Sequence, residues 1–171
     1  MKMKKAAVLI CAIFLLTLCG CGDTADQQSE DTATVKLQDI QIDELVEPGY
    51  IPEGFVQLDG SEESYCHIYG NDPNDNITIE VMEGKRLDMP LEPSELDERI
   101  EMNMWKESQA SFGDKEFRIV KDELSPNNIG AFVINKGYVI SIWFSTGDDQ
   151  AVSKKQEEEF NKVLKNLKFA D

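Results

Sequence analysis

One histidine, His67, is all that this chain contains, and the shortage removes whole classes of chemistry. A metal site built on two histidines has no ligands, and any Ser-His or Cys-His nucleophile would have to run through His67 itself. If 64–69 is a strand, as its patterning predicts, Cys66 and His67 point to opposite faces and form no local dyad. No phosphate-cradling P-loop, Gly-x-Ser-x-Gly elbow or Cys-x-x-Cys pair occurs. Positive charge is scarce too: 17 basic residues stand against 33 acidic ones, for a net charge of −16. Such a surface repels phosphate backbones, which excludes nucleic acid as a partner, and it repels anionic lipid headgroups as well. Long apolar runs are missing. The longest, Ala6 to Leu18, counts 13 residues, short of the roughly 20 that span a bilayer core.

What the N-terminus does contain fixes an address. Lys2, Lys4 and Lys5 precede the apolar run and small residues follow it, the three parts of a secretory leader. The run closes on Leu18-Cys19-Gly20-Cys21, which resembles the lipobox of bacterial lipoproteins, with Cys19 where Ala, Ser or Thr is usual. In that family the cysteine after the cleaved bond is thioether-linked to diacylglycerol and becomes the mature N-terminus. Gly20 before Cys21 is smaller than Leu18 before Cys19, so Cys21 is the expected lipidation site, with residues 1–20 as the leader. An ordinary secretory leader with a chance cysteine is the alternative. Two acyl chains hold a protein firmly at about 0.8 kcal/mol per buried CH₂, so the membrane becomes the first partner. Loss of the three leader lysines takes the net charge to −19. Cys66 is then the one thiol left, which permits no internal disulfide and reads as a small buried hydrophobe.

Residues 21–44 are polar, rich in Asp, Gln, Ser and Thr, and read as an acidic flexible tether. A weak Val35, Leu37, Ile40, Ile42 pattern allows one short strand where the tether meets the body. Residues 45–171 are expected to form a single domain, large enough to bury roughly two-thirds of its unfolded surface. Strand patterning is found at Phe55–Leu58, Ser64–Tyr69, Ile77–Met82, Phe117–Lys121, Ile129–Asn135 and Tyr138–Ser145. The last carries apolar side chains on both faces, as a central strand covered on both sides would. Glu92-Pro93-Ser94 introduces a helix running to about Glu107 with Leu96, Ile100 and Met104 as its core stripe. A closing helix opens near Ser153, whose spacing to Gln156 suits a capping box, and Phe160, Val163, Leu164 and Leu167 form its apolar face.

Pro52-Glu53-Gly54-Phe55, Gly137-Tyr138-Val139-Ile140 and the run Phe160 to Phe169 together resemble the PsbP-like fold, including lipoprotein domains of Gram-positive bacteria. The resemblance implies an α+β domain in which helices flank an antiparallel sheet as an α/β/α sandwich. It also implies a Gram-positive source, a place on the extracytoplasmic face of the cell membrane, and a binding or accessory role without chemistry.

Three features compete with that expectation or refine it. Asp72, Asn74 and Asn76 alternate as in a calcium loop, with Glu83 at the twelfth place. Ile77, however, occupies the sixth place, where glycine is needed, so a hairpin turn is expected and no metal site. Tyr65, His67 and Tyr69 share a strand face and form a candidate ligand surface, the competing reading being that they pack beneath a helix or the tether. The abundant carboxylates leave room for a divergent hydrolase, and a lipid or lipoprotein carrier is a further alternative that would need a large apolar cavity. No cofactor is expected, and the protein or small-molecule partner is not named by the sequence.

Overall fold

The computed structural model describes residues 35–58, 63–72, 74–86, 88–147 and 151–171. The leader and Cys21 therefore lie outside the described residues, as does the tether up to residue 34. Among the described residues, nine strands and two α-helices follow in the order β1 (Val46–Pro48), β2 (Val56–Gln57), β3 (Cys66–Asp72), β4 (Asp75–Val81), α1 (Leu96–Met102), β5 (Lys106–Phe112), β6 (Lys115–Lys121), β7 (Asn128–Asn135), β8 (Tyr138–Ser145), α2 (Lys154–Lys165) and β9 (Leu167–Phe169).

Seven strands form one antiparallel sheet in the order β2-β3-β4-β8-β7-β6-β5. After β4 the chain crosses one face through α1 and re-enters at the far edge as β5. Three hairpin steps then bring it back, so that β8 closes the sheet between β7 and β4. Alternation sorts the side chains of β8. Ile140, Ile142 and Phe144 join a core with Phe160, Val163 and Leu164 of α2, while Val139 joins a second core with Leu96 and Ile100 of α1. The expected central strand with both faces covered is what the chain forms.

The architecture is α+β but sheet-dominated, and the flanking helices are unequal. α2 has twelve residues and the Ser153/Gln156 capping box, with Phe160, Val163 and Leu164 buried. α1 has only seven, and Met82 and Leu91 of the crossover join its Leu96 and Ile100 in the second core. The helix expected to reach Glu107 stops at Met102 because Asn103 caps it and Met104 turns left-handed, with φ 54°. Met104 is consequently 75% exposed instead of lining the core. Residues 106–112 become strand β5.

The N-terminal boundary also moves. Leu37–Asp39 and Ile42–Glu44 form single 3-10 turns in place of a strand, and Leu37, Ile40 and Ile42 are buried in the first core. The turns are bonded to the body through Leu37 N to Asp88 O (2.9 Å) and Ile42 N to Ser64 O (2.7 Å). The folded body therefore begins no later than Leu37, ahead of the expected boundary at Leu45, because three apolar side chains in this polar stretch find burial on the sheet. β1 and β9 pair as a separate ribbon, and buried Asn135 ties it down. Its amide donates to Leu45 O (2.9 Å) and accepts from Lys115 Nζ (3.0 Å), which satisfies polar groups that burial would otherwise strand.

Gly130 in β7 pairs with Trp143 in β8. A Cβ at Gly130 would lie 2.6 Å from the Trp143 ring, so the missing side chain lets the indole lie down on the sheet. There it meets Trp105, at 5.1 Å between ring centroids, and Phe132, at 5.9 Å.

Candidate binding site

A groove of about 470 Å³ opens between the first turns of α2, the end of β8 and the loop before β2. Its making begins in the sequence Pro52-Glu53-Gly54-Phe55. Phe55 N bonds to Pro52 O at 3.1 Å, and Gly54 has φ 89°, the geometry of a type II turn that only glycine enters without strain. The turn aims Phe55 at Phe144, 6.3 Å away between ring centroids. Phe144 in turn stacks on Phe160 at 6.3 Å, which is fully buried. A file of three aromatic rings thus runs from the groove floor into the core.

The rim is polar and much of it is already engaged. Glu159 accepts from Tyr50 Oη and from Lys162 Nζ, each at 2.6 Å. The Lys162 bond, then that of Tyr50, holds this carboxyl below the usual glutamate range, while the same contact raises the Tyr50 phenol. Ser153 and Gln156 bond each other as the α2 cap. Asp75 accepts from Asn71 at 3.1 Å. Lys155 completes the rim and makes no ion pair with a described residue.

The three residues singled out in β3 and just before it sit on the α2 side of the sheet, beside the N-terminal turns. His67 Nε2 lies 2.7 Å from Asp43 Oδ1. A carboxylate can only accept, which assigns the ring hydrogen to Nε2. Nδ1 then faces inward, buried and without a partner among the described residues. Tyr69 packs 6.0 Å from the His67 ring, and Tyr65 lies against the first core. All three are half-buried, and His67 is clasped by Asp43 of the segment read as tether. The Tyr65 phenol is raised to about 12, mainly by its bond to Glu63.

Cys66 points to the opposite face, as alternation requires. It is buried, and burial, reinforced by Glu80 and Glu63, pushes its thiol up to about 12. Glu80, opposite Cys66 on β4, is raised by burial and partly relieved by the hydroxyl of Ser141, 3.3 Å away. The calcium-like segment is the β3-β4 hairpin: Asp72 pairs with Asp75, and Ile77 pairs with Phe144 inside β4. Among the described residues no cluster of three metal-capable side chains occurs, and no helix is long and apolar enough to cross a membrane.

The groove was only half visible in the sequence. Phe55 belongs to a recognisable turn motif and Lys155 to a recognisable helix start, but Phe144 reaches the groove through strand pairings no local pattern announces.

This arrangement, an antiparallel sheet with one long helix and an aromatic-floored groove beside its N-terminus, defines an α+β domain of the sheet-dominated kind. No family model matches the chain, and no curated protein does. Among solved structures it is similar to the solution structure of cyanobacterial PsbP (CyanoP) from Synechocystis sp. PCC 6803. That likeness has 12% identity and a TM-score of 0.44, over 74% of this chain and 93% of the other.

Proposed function

We propose that this protein is a membrane-anchored extracytoplasmic lipoprotein, held by a diacylglyceryl group on Cys21, whose PsbP-like domain binds a partner without turnover. The PsbP-like assignment is supported by the sequence motifs at Pro52–Phe55, Gly137–Ile140 and Phe160–Phe169, and the anchor by Leu18-Cys19-Gly20-Cys21. The observation that carries the binding role is the groove itself. Its floor is aromatic, with Phe55 and Phe144, and its rim residues Glu159, Ser153 and Gln156 are taken up by bonds within the chain. A rim so engaged reads the shape and apolar surface of a guest, with Lys155 as a point charge.

One observation favours the hydrolase reading: Asp75 and Glu159 line the same groove. The electrostatics run against it. A general acid needs a raised pKa, and Lys162 and Tyr50 hold Glu159 below its ordinary value.

Two measurements test the proposal. Cys21→Ala should shift the protein from the membrane fraction to the aqueous fraction of growing cells; tight retention of the variant refutes the anchor. A photoreactive residue at Ala151, in the groove, should give one discrete adduct on intact cells that Phe55→Ala abolishes. Adducts equally frequent from exposed Met102, at the end of α1 on the opposite face of the sheet, would remove the binding role.

A further inference from the structure

The two ends of the main sheet are finished differently. At one end β2 has two residues, too few to template another strand. At the other, β5 runs for seven residues in unbroken register with β6, from Lys106↔Lys121 to Phe112↔Lys115, with no proline and no bulge. Residues 106–109 and Ser111 are exposed. No backbone bond joins Lys106–Phe112 to any described residue outside the ladder with β6.

The hairpin decides which groups are left over. Gly113 and Asp114 form a two-residue turn, so Phe112 and Lys115 are a hydrogen-bonded pair. Antiparallel alternation then commits the backbone of Phe112, Ala110, Ser108 and Lys106 to β6, and turns the N–H and C=O of Glu107, Gln109 and Ser111 outward. Three donors and three acceptors form a row along an open edge, which natural sheets usually blunt.

We propose that this edge pairs with the same edge of a second copy, antiparallel about a two-fold axis through Gln109, to make one continuous sheet across two protomers. The register is self-complementary. Gln109 meets Gln109 and Glu107 meets Ser111, so that all the outward groups of both copies bond each other. On the other face Ser108 meets Ala110 and Lys106 meets Phe112, so no like charges stand opposed. Glu107 is also neutralised within its own protomer, since Arg118 grips both its oxygens at 2.7 and 2.8 Å. A lysine edge charge facing a lysine would block the pairing; this sequence avoids it. The proposal is independent of what the groove binds.

The test uses the full processed chain on its membrane. Cys66 is buried and Cys21 is acylated in the proposed anchor, so a new thiol reports alone. Gln109→Cys should give a disulfide-linked species of twice the protomer mass under mild oxidation, while Glu123→Cys in an exposed loop stays single. In detergent solution the unmodified protein should sediment as a dimer, more firmly as salt screens the acidic surfaces. Gln109→Pro, which removes an outward N–H and leaves the β6 ladder intact, should sediment as a monomer with an unchanged far-ultraviolet spectrum. A monomeric wild type, equal cross-linking from both cysteines, or a Gln109→Cys adduct to a different protein each overturns the proposal.

Discussion

Replacing Gly130 by alanine is the sharpest probe of the second core. The new methyl carbon would lie 2.6, 2.7 and 2.8 Å from three atoms of the Trp143 ring, closer than carbon atoms approach without repulsion. Two relaxations are open. The ring can swing off the sheet, surrendering its packing on Trp105 and Phe132, each pair worth about 0.5–1.5 kcal/mol. Otherwise β7 must move off β8 in the middle of the sheet, with an overpacking cost of about 1–3 kcal/mol. Both routes converge on a destabilisation of about 2 kcal/mol, a factor of roughly 30 in the folded-to-unfolded ratio. The chain's only tryptophans are Trp105 and Trp143, so urea unfolding followed by tryptophan emission reads this cluster directly. The near-ultraviolet circular dichroism of the folded variant should change as well. In a Trp143→Leu background the same glycine replacement should cost far less, giving a strong coupling in a double-mutant cycle. A single-mutant loss below about 0.5 kcal/mol with an unaltered near-ultraviolet spectrum would refute the reasoning.

The other predictions concern the groove turn and the ionisable groups. Gly54→Ala must adopt φ 89°, which should cost about 1–2 kcal/mol in thermal or urea unfolding and displace Phe55 from Phe144; an unchanged midpoint would contradict the turn assignment. Glu80 has a carboxyl raised by burial, so the folded state prefers it neutral and loses stability as pH climbs above the ordinary glutamate range. Glu80→Gln should therefore raise the melting temperature at neutral pH, with the advantage fading in acid. Glu107 is lowered, chiefly by its bond to Arg118, so its contribution is present above the ordinary glutamate range and lost as pH falls. Glu107→Gln should lower the melting temperature at neutral pH and converge with wild type in acid, and identical pH trends for the two variants would sink both assignments. The Cys66 thiol, pushed up to about 12, should resist iodoacetamide at neutral pH and react once urea unfolds the chain.

What the sequence disclosed follows from which signals are local. β3, β4, β6, β7 and β8 are alternating apolar runs set between turn residues, and the α2 cap at Ser153 and Gln156 is a contiguous pattern; all of these were legible. The expected helix takes in Lys106 and Glu107 of β5, and residues 108–112 give no strand signal, because an edge strand with exposed Lys106, Glu107 and Gln109 carries little apolar alternation. α1 looked longer than it is because Met104 stands at helical spacing, and only the left-handed turn at that residue takes it out of the stripe. Leu167, counted with the last helix, belongs to β9 because β1, more than a hundred residues earlier, pairs there. Leu37, Ile40 and Ile42 hid in a polar stretch for the same reason: their burial depends on the sheet, not on their neighbours in sequence. In the groove, the turn that presents Phe55 was readable, whereas its partner Phe144 comes from the central strand β8, far along the chain.

The position of β8 also has a temporal meaning. It is the innermost bridge between β4 and β7, yet in chain order it follows β5, β6 and β7. A chain emerging N-terminus first from a ribosome holds the far edge of β4 unpaired until β5, β6, β7 and then β8 have followed. Pairings this distant in sequence close slowly, and the waiting strands are open to wrong partners. A truncation ahead of Tyr138 therefore forfeits the whole body rather than its last few elements.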